Sequence, residues 1–304
     1  MLQAAEHFVH APQWTWYILF YFFFAGLAGG SYVVGTLLRL GGDPRDEPAA
    51  RIGFYASLPA LIACPILLTA DLGASWWKFW HMLVNVTPGG AGLNFKYWSP
   101  MSLGVWALMV FGLFAFVSAA DAWFADRRGR PVLPPAFNRV FMVVGSLFGL
   151  FIASYTGVLL SVSNQPVWSD TWALGGLFLA SGLSGAAALI TLLMRYRPEA
   201  ANSRERLRIA DGYFSILELI LLVAFLATVV IAGGADRILP WFPLWIIALL
   251  GIGASLYGFR RPVRVSAGAQ TAAVTAVAAE ATVVAVLVLV AVLALRAAVI
   301  FSAQ

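Results

Sequence analysis

Eight stretches of predominantly apolar residues, each of roughly 18 or more, punctuate the 304-residue chain at about 15–40, 52–74, 100–123, 137–162, 171–195, 212–232, 240–258 and 278–301. Runs of that length match the thickness of a bilayer when wound as α-helix, and a spanning backbone must satisfy its own hydrogen bonds. The pattern therefore predicts an all-α membrane protein with eight transmembrane helices. Asp211 and Glu218 polarise the sixth segment, while Pro240 and Pro243 open the seventh, where a helix start tolerates proline.

The basic residues between these segments are not evenly shared. Arg39, Arg45 and Arg51 follow the first segment, and Arg127, Arg128, Arg130 and Arg139 follow the third. Arg195, Arg197, Arg204, Arg206 and Arg208 follow the fifth, and Arg260, Arg261 and Arg264 the seventh, so 15 of the 19 lysines and arginines fall in alternate loops. Only Lys78, Lys96, Arg237 and Arg296 are left for the other side. By the positive-inside rule both termini face outward, toward the periplasm or cell exterior, and a multi-pass protein of the inner membrane is expected. The net charge of +5 thus reflects orientation rather than nucleic-acid binding.

Composition narrows the chemistry. With 61% hydrophobic and 11% charged residues the chain is no soluble domain. Its one cysteine, Cys64, makes neither an internal disulfide nor an iron–sulfur site, which takes several thiolates. The three histidines, His7, His10 and His81, include no pair facing each other at mid-membrane, so haem is not expected either. The start, MLQAAEHFVH, lacks a basic region ahead of a short apolar core, so no cleaved signal is expected.

The outward loops are short except for residues 75–99, SWWKFWHMLVNVTPGGAGLNFKYWS. Such an aromatic stretch reads as an interfacial amphipathic helix, as a docking platform that roofs a site below, or as both. Depth follows from the rise of about 1.5 Å per residue. Tyr155 then lies roughly 12 Å beneath the outer end of the fourth helix, Asp71 is close to the outer end of the second, and Tyr17 and Tyr21 sit in the outer third of the first. Polar groups from three helices share one layer, and ionisable residues within a membrane usually face a bundle interior or a cavity. Asp71 reads as an interfacial carboxylate or a proton acceptor, and Tyr155 as a tyrosine bonded to backbone or to a ligand. Glu218, about two turns inside the other face, is a step in a proton path or a helix–helix hydrogen bond. Arg296 is expected to snorkel or to be ion-paired. The clusters GLAGG (26–30) and SGLSGAAA (181–188) let helices approach closely.

Four segments taken together, YFFFAGLAGGSY, TADLG followed by WKFWHML, NFKYWSPMSLGVW and ASYTGVLLSVSNQPVW, resemble the NrfD/PsrC-like integral membrane subunits of polysulfide-reductase-type respiratory complexes. The likeness is concentrated in residues 14–170; the second half matches in hydropathy and helix number. It implies two four-helix bundles, residues 1–170 carrying the quinone site and the outer docking loop 75–99, and residues 171–304 forming the second. It also implies an anchor without haem or iron–sulfur cluster of its own, exchanging electrons with a periplasmic-side iron–sulfur subunit wired to a molybdopterin-type catalytic subunit. By position, Tyr155 resembles the family's quinone-contacting tyrosine, Asp71 its acidic residue ending the second helix, and His81 a histidine in the next segment. The first helix departs from the pattern, with Tyr21 and the Tyr17/Ile18 region where some members present histidine and asparagine. Tyr155, Tyr21, Tyr17, Asp71 and His81 are accordingly the expected contacts of a menaquinone or ubiquinone, with Asp71 and His81 as the proton-handling pair and no metal.

Two functions follow. The chain is a redox anchor that oxidises quinol near the outer face, or a proton-translocating module of a larger respiratory complex, with Glu218 and Asp71 carrying protons and no quinone turnover of its own. A pairing of two complexes is left open. A secondary transporter is disfavoured, since no inverted repeat with paired broken helices stands out.

Overall fold

The computed structural model describes residues 9–73, 75–90, 92–260 and 271–304, with the side chains of 271–277 outside that description. His7, Arg261 and Arg264, named above, lie outside it as well. Its long helices are α1 (Trp16–Leu40), α2 (Glu47–Ala70), α3 (Pro100–Arg128), α4 (Pro135–Ser161), α5 (Leu174–Leu193), α6 (Arg204–Ile231), α7 (Phe242–Arg260) and α8 (Thr271–Phe301). Eight spans among the described residues are long and apolar enough to cross a bilayer, as expected, and the chain is a multi-pass integral membrane protein.

Several helices outrun the apolar segments at their charged ends. Helix α2 starts at Glu47 rather than near residue 52, α3 continues to Arg128, and α6 starts at Arg204 rather than near 212. Hydropathy marks only the oily part of a helix, whereas the backbone ladder continues through a polar turn that the end charges favour. Glu47 sits in a first turn and Arg127 and Arg128 in a last one, the placements that suit the helix dipole. Gly129, at φ +70°, then closes α3 in the left-handed region.

Helices α1 and α5 are the most enclosed. Helix α1 packs on α2, α4, α5 and α8, and α5 on α1, α4, α6 and α8. The small-residue clusters make this possible: a Cβ on Gly29 would lie 2.2 Å from the Gly149 carbonyl oxygen, and one on Gly30 2.4 Å from that of Gly182. Where lipid is as apolar as the protein, such backbone-to-backbone approach is a main source of helix association.

At one end of the bundle the arginines are laced into carboxylates. Asp126 on α3 accepts from Arg51 on α2 at 2.6 Å, from Arg197 after α5 at 2.6 Å and from Tyr55 at 2.8 Å. Arg39 pairs with Glu47 at 2.6 Å, and Arg206 reaches both Asp43 and Asp46. Ser203 adds a 2.7 Å bond to Asp46, which is buried. These bonds tie the first half of the chain to the linker and helix that follow α5.

One connection differs from expectation. Residues 75–99 are not a continuous amphipathic helix: a 3-10 helix, Trp76–Met82, leads into a small hairpin of β1 (Val84–Asn85) and β2 (Gly92–Leu93), antiparallel, with Val84 opposite Leu93. The Pro-Gly-Gly run at 88–90 breaks any helix there. Asn94 fastens the loop, its side chain donating to the His81 carbonyl at 3.0 Å and its own carbonyl accepting from Ser102 Oγ at 3.2 Å and Trp106 Nε1 at 3.3 Å. After α4 ends at Ser161, the chain turns inward at and beyond the SNQP stretch. Gln165, Val167 and Trp168 are buried; Gln165 Nε2 donates to the His10 carbonyl at 2.5 Å, and Trp168 Nε1 to that of Val299 at 2.7 Å. Those side-chain bonds hold Gln165 and Trp168 inside the protein.

Candidate functional site

A cavity of about 560 Å³ opens where the first turns of α1, the end of α2, the start of α3 and the end of α4 meet beneath the 76–83 turn. Phe79, Met82 and Leu83 of that turn form part of its wall, so the aromatic loop does roof a cavity. Most of the lining is apolar, from leucine, methionine and aromatic side chains, and Tyr21, Asp71 and Tyr155 face it from three different helices. An apolar enclosure with a few convergent polar groups is the usual form of a small-molecule site.

Tyr155 is held on every side. Its hydroxyl donates to the Pro100 carbonyl at 2.6 Å, and its ring stacks on Phe151 with centroids 5.5 Å apart. Opposite stands Gly104, one turn into α3: a Cβ there would lie 2.3 Å from both Cζ and Oη of Tyr155. Only glycine leaves that ring its place.

Tyr21 is also buried, but its hydroxyl has no hydrogen-bond partner among the described residues, so its bonding capacity is free at the cavity wall. Asp71 caps the C-terminal end of α2, following Ala70 with helical φ and ψ. A carboxylate is poorly placed there, since the helix dipole presents its negative end, and no cation pairs with it among the described residues. Burial pushes its carboxyl above the usual aspartate range.

Of the other expected site residues, Tyr17 and His81 do not line the cavity. Tyr17 is half exposed on the first turn of α1. His81 sits in the 3-10 turn with its ring edge-on to Trp80 at 4.3 Å, and its carbonyl accepts from Asn94. Sequence reading passed over Gly104 and Trp14. The glycine stands four residues after the proline that opens α3, a spacing that marks the same helix face. Trp14 lines the cavity and stacks on Trp168 at 5.1 Å, a long-range contact with no local signal.

Glu218 lies elsewhere, in a second, largely buried polar group among α5, α6, α7 and α8. Asp211 there accepts from Ser184 and Ser255, each at 2.6 Å, and Ser215 donates to Ser255 at 2.8 Å. Arg296 does not snorkel: it is fully buried, its Nη2 donating to the Phe178 carbonyl at 3.3 Å and its guanidinium lying 4.6 Å over the Phe178 ring. Gly26 gives it room, since a Cβ there would lie 2.2 Å from Nη2. Neighbours on α1 and α5 enclose the side chain, and its Nε and Nη1 have no hydrogen-bond partner among the described residues. Glu218 is close enough to act on it electrostatically, without a direct ion pair among the described residues. No group of three or more histidine, cysteine, aspartate or glutamate side chains able to hold a metal ion occurs among the described residues.

The model of one protein family, described as polysulphide reductase, NrfD, matches residues 5–304. The chain is 25% identical over 220 residues to protein NrfD of Escherichia coli, covering 65% of this chain and 64% of that protein. It is also 25% identical over 115 residues to a selenate reductase subunit of Mesobacillus selenatarsenatis, covering 38% of this chain and 24% of that one. The chain therefore spans just under two thirds of one relative and about a quarter of the other.

Proposed function

The chain belongs to the NrfD, polysulphide reductase, family, and from that premise we propose that it is the membrane subunit of a respiratory oxidoreductase complex that takes quinol into the cavity and passes its electrons to an iron–sulfur subunit docked over the aromatic loop. The observation that carries this reading is the convergence of Tyr21, Asp71 and Tyr155 on one apolar cavity. Its size suits a quinone headgroup, small-molecule sites commonly measuring about 300–1,000 Å³. Oxidation of a quinol supplies two electrons and two protons. Tyr21 and Tyr155 would bind the ring oxygens, the leucine and methionine walls would exclude water, and Asp71 at the rim would accept a proton and release it to solvent.

With one cysteine in the chain, the electron acceptor belongs to a partner. The exposed aromatics Trp76, Trp77, Tyr97 and Trp98 offer that partner a surface on the loop whose Phe79, Met82 and Leu83 wall the cavity. A molybdopterin-type catalytic subunit would complete the complex; the selenate reductase relative is, by its name, one subunit of a larger reductase. In this reading residues 1–170 form the quinone-binding bundle and 171–304 the second, both termini face the periplasm across the inner membrane, the quinone is menaquinone or ubiquinone, and His81 and Tyr17 act from outside the cavity wall. The test is to purify the complex from membranes and extract its lipids. Quinone should copurify in near-stoichiometric amount, and Val105→Trp, which fills the cavity from α3, should lower that content about tenfold while the subunits stay assembled. A complex that holds no quinone, or as much in the variant, overturns the assignment.

The buried Glu218 and Arg296, with half-buried Asp211 in the same group, favour a second reading, in which this half of the chain moves protons. Under it, Glu218→Gln abolishes acidification by energised vesicles, with quinone content unchanged. Retention of full proton movement in that variant removes Glu218 from any path.

A further inference from the structure

Resting on the quinol reading of the cavity, we infer that the site selects its ligand by redox state, binding hydroquinone in preference to quinone because Tyr155 meets the ligand as a hydrogen-bond acceptor. The direction of the Tyr155 bond fixes this. Its Oη lies 2.6 Å from the Pro100 carbonyl oxygen, and a carbonyl can only accept, so the phenolic proton is in that bond. What the hydroxyl has left for the cavity is its lone pairs.

The arrangement resists reversal. Pro100 is the first residue of α3, where its ring fixes φ, and its carbonyl is held by the helix it begins. The Tyr155 ring is clamped between Gly104 and Phe151 and is almost wholly buried. A ligand hydroxyl can donate to Tyr155 with the Pro100 bond intact. A ligand carbonyl meets lone pair with lone pair, unless the Oη–H rotates away from Pro100 and exchanges one hydrogen bond for another. Tyr21 imposes no such choice, because its hydroxyl is uncommitted and can donate or accept.

Two consequences follow for turnover. The hydroquinone makes one hydrogen bond more than the quinone, so oxidation weakens the ligand's hold and favours its exit. Tyr155 also cannot serve as the proton acceptor, since its own proton would have to pass to an amide carbonyl; the proton leaves by another route, and Asp71 is the group placed for it. Loss of one such bond corresponds to about a tenfold difference in affinity. For a two-electron couple, tenfold tighter binding of the reduced form raises the midpoint potential of the bound couple by about 30 mV.

The experiment is equilibrium dialysis of the purified complex, kept anaerobic and without terminal acceptor, against a short-chain naphthoquinone and separately against its dithionite-reduced naphthoquinol. Wild type should bind the naphthoquinol about tenfold more tightly, and Tyr155→Phe should bind both equally, having lost affinity for the reduced form alone. The dimethyl ether of the naphthoquinol, which cannot donate, should bind wild type no better than the quinone does, a control independent of any variant. Equal binding of the two redox forms by wild type, or a Tyr155→Phe loss confined to the quinone, overturns redox selection and leaves the quinone site standing. If wild type binds neither form, the cavity is not a quinone site and both readings fall.

Discussion

Asp71→Asn is expected to lower quinol-dependent electron transfer by about a hundredfold, the lower end of what a positioned proton acceptor contributes, while leaving the fold as stable as before or more so. The two halves of this expectation have one cause. Asp71 ends α2 at the negative end of its dipole, partly desolvated and with no cation beside it among the described residues, so its ionised form is disfavoured. A carboxyl raised in the folded state costs stability as pH climbs from the unfolded value of about 3.9 through the folded one. The asparagine variant escapes that cost. Thermal midpoints of the two proteins should therefore coincide near pH 4, about the unfolded carboxyl value, and diverge toward neutrality in favour of the variant. Turnover behaves oppositely: wild-type activity should fall on the acid side as Asp71 protonates, and the residual activity of Asp71→Asn should lack that limb. A variant with full turnover and an unchanged pH profile would show that Asp71 accepts no proton.

The membrane class and the spans were legible in the sequence because a bilayer imposes length and hydropathy directly on the chain. Lateral packing was not. Nothing local in the last helix says that Arg296 is buried, since that depends on Gly26 of α1 leaving space and on Phe178 of α5 supplying a ring and a carbonyl. The layer shared by Tyr21, Asp71 and Tyr155 could be read from helix direction and rise alone. That Tyr17, one turn from Tyr21, points outside the cavity is a matter of helix rotation, which hydropathy does not set when both faces are apolar. The helical reading of the loop after α2 fails for a related reason: its aromatics suit an interfacial helix, but Pro88, Gly89 and Gly90 make a hairpin that Asn94 then pins to α3.

Gly157→Ala is expected to destabilise the protein by about 3 kcal/mol, the upper end for overpacking, although it adds one methyl group in a helix where alanine is otherwise preferred. The sequence alone allows Gly157 two explanations, space for a flat ligand or for a close helix. The structure decides for the helix: a Cβ there would lie 2.2 Å from the Leu174 carbonyl oxygen, 2.5 Å from its carbon and 2.9 Å from the Gly175 nitrogen. All three are backbone atoms, which cannot turn aside as a side chain can, so α4 and α5 must separate. Ser154, which donates to the Gly175 carbonyl at 3.1 Å, would lose its partner in the same movement. Gly253→Ala on α7 is the control, because nothing lies within 4 Å of a Cβ at that exposed position. There the substitution should be neutral or stabilising by up to about 1 kcal/mol. Thermal unfolding in detergent, followed by circular dichroism, should thus shift in opposite directions for two changes identical in chemistry. The Gly157 variant should also lose quinol turnover beyond its loss of stability, since Tyr155 lies two residues away on the displaced helix and its bond to Pro100 depends on where α4 stands against α3. Equal midpoints for the two variants would mean that α4 and α5 are not in backbone contact at Gly157.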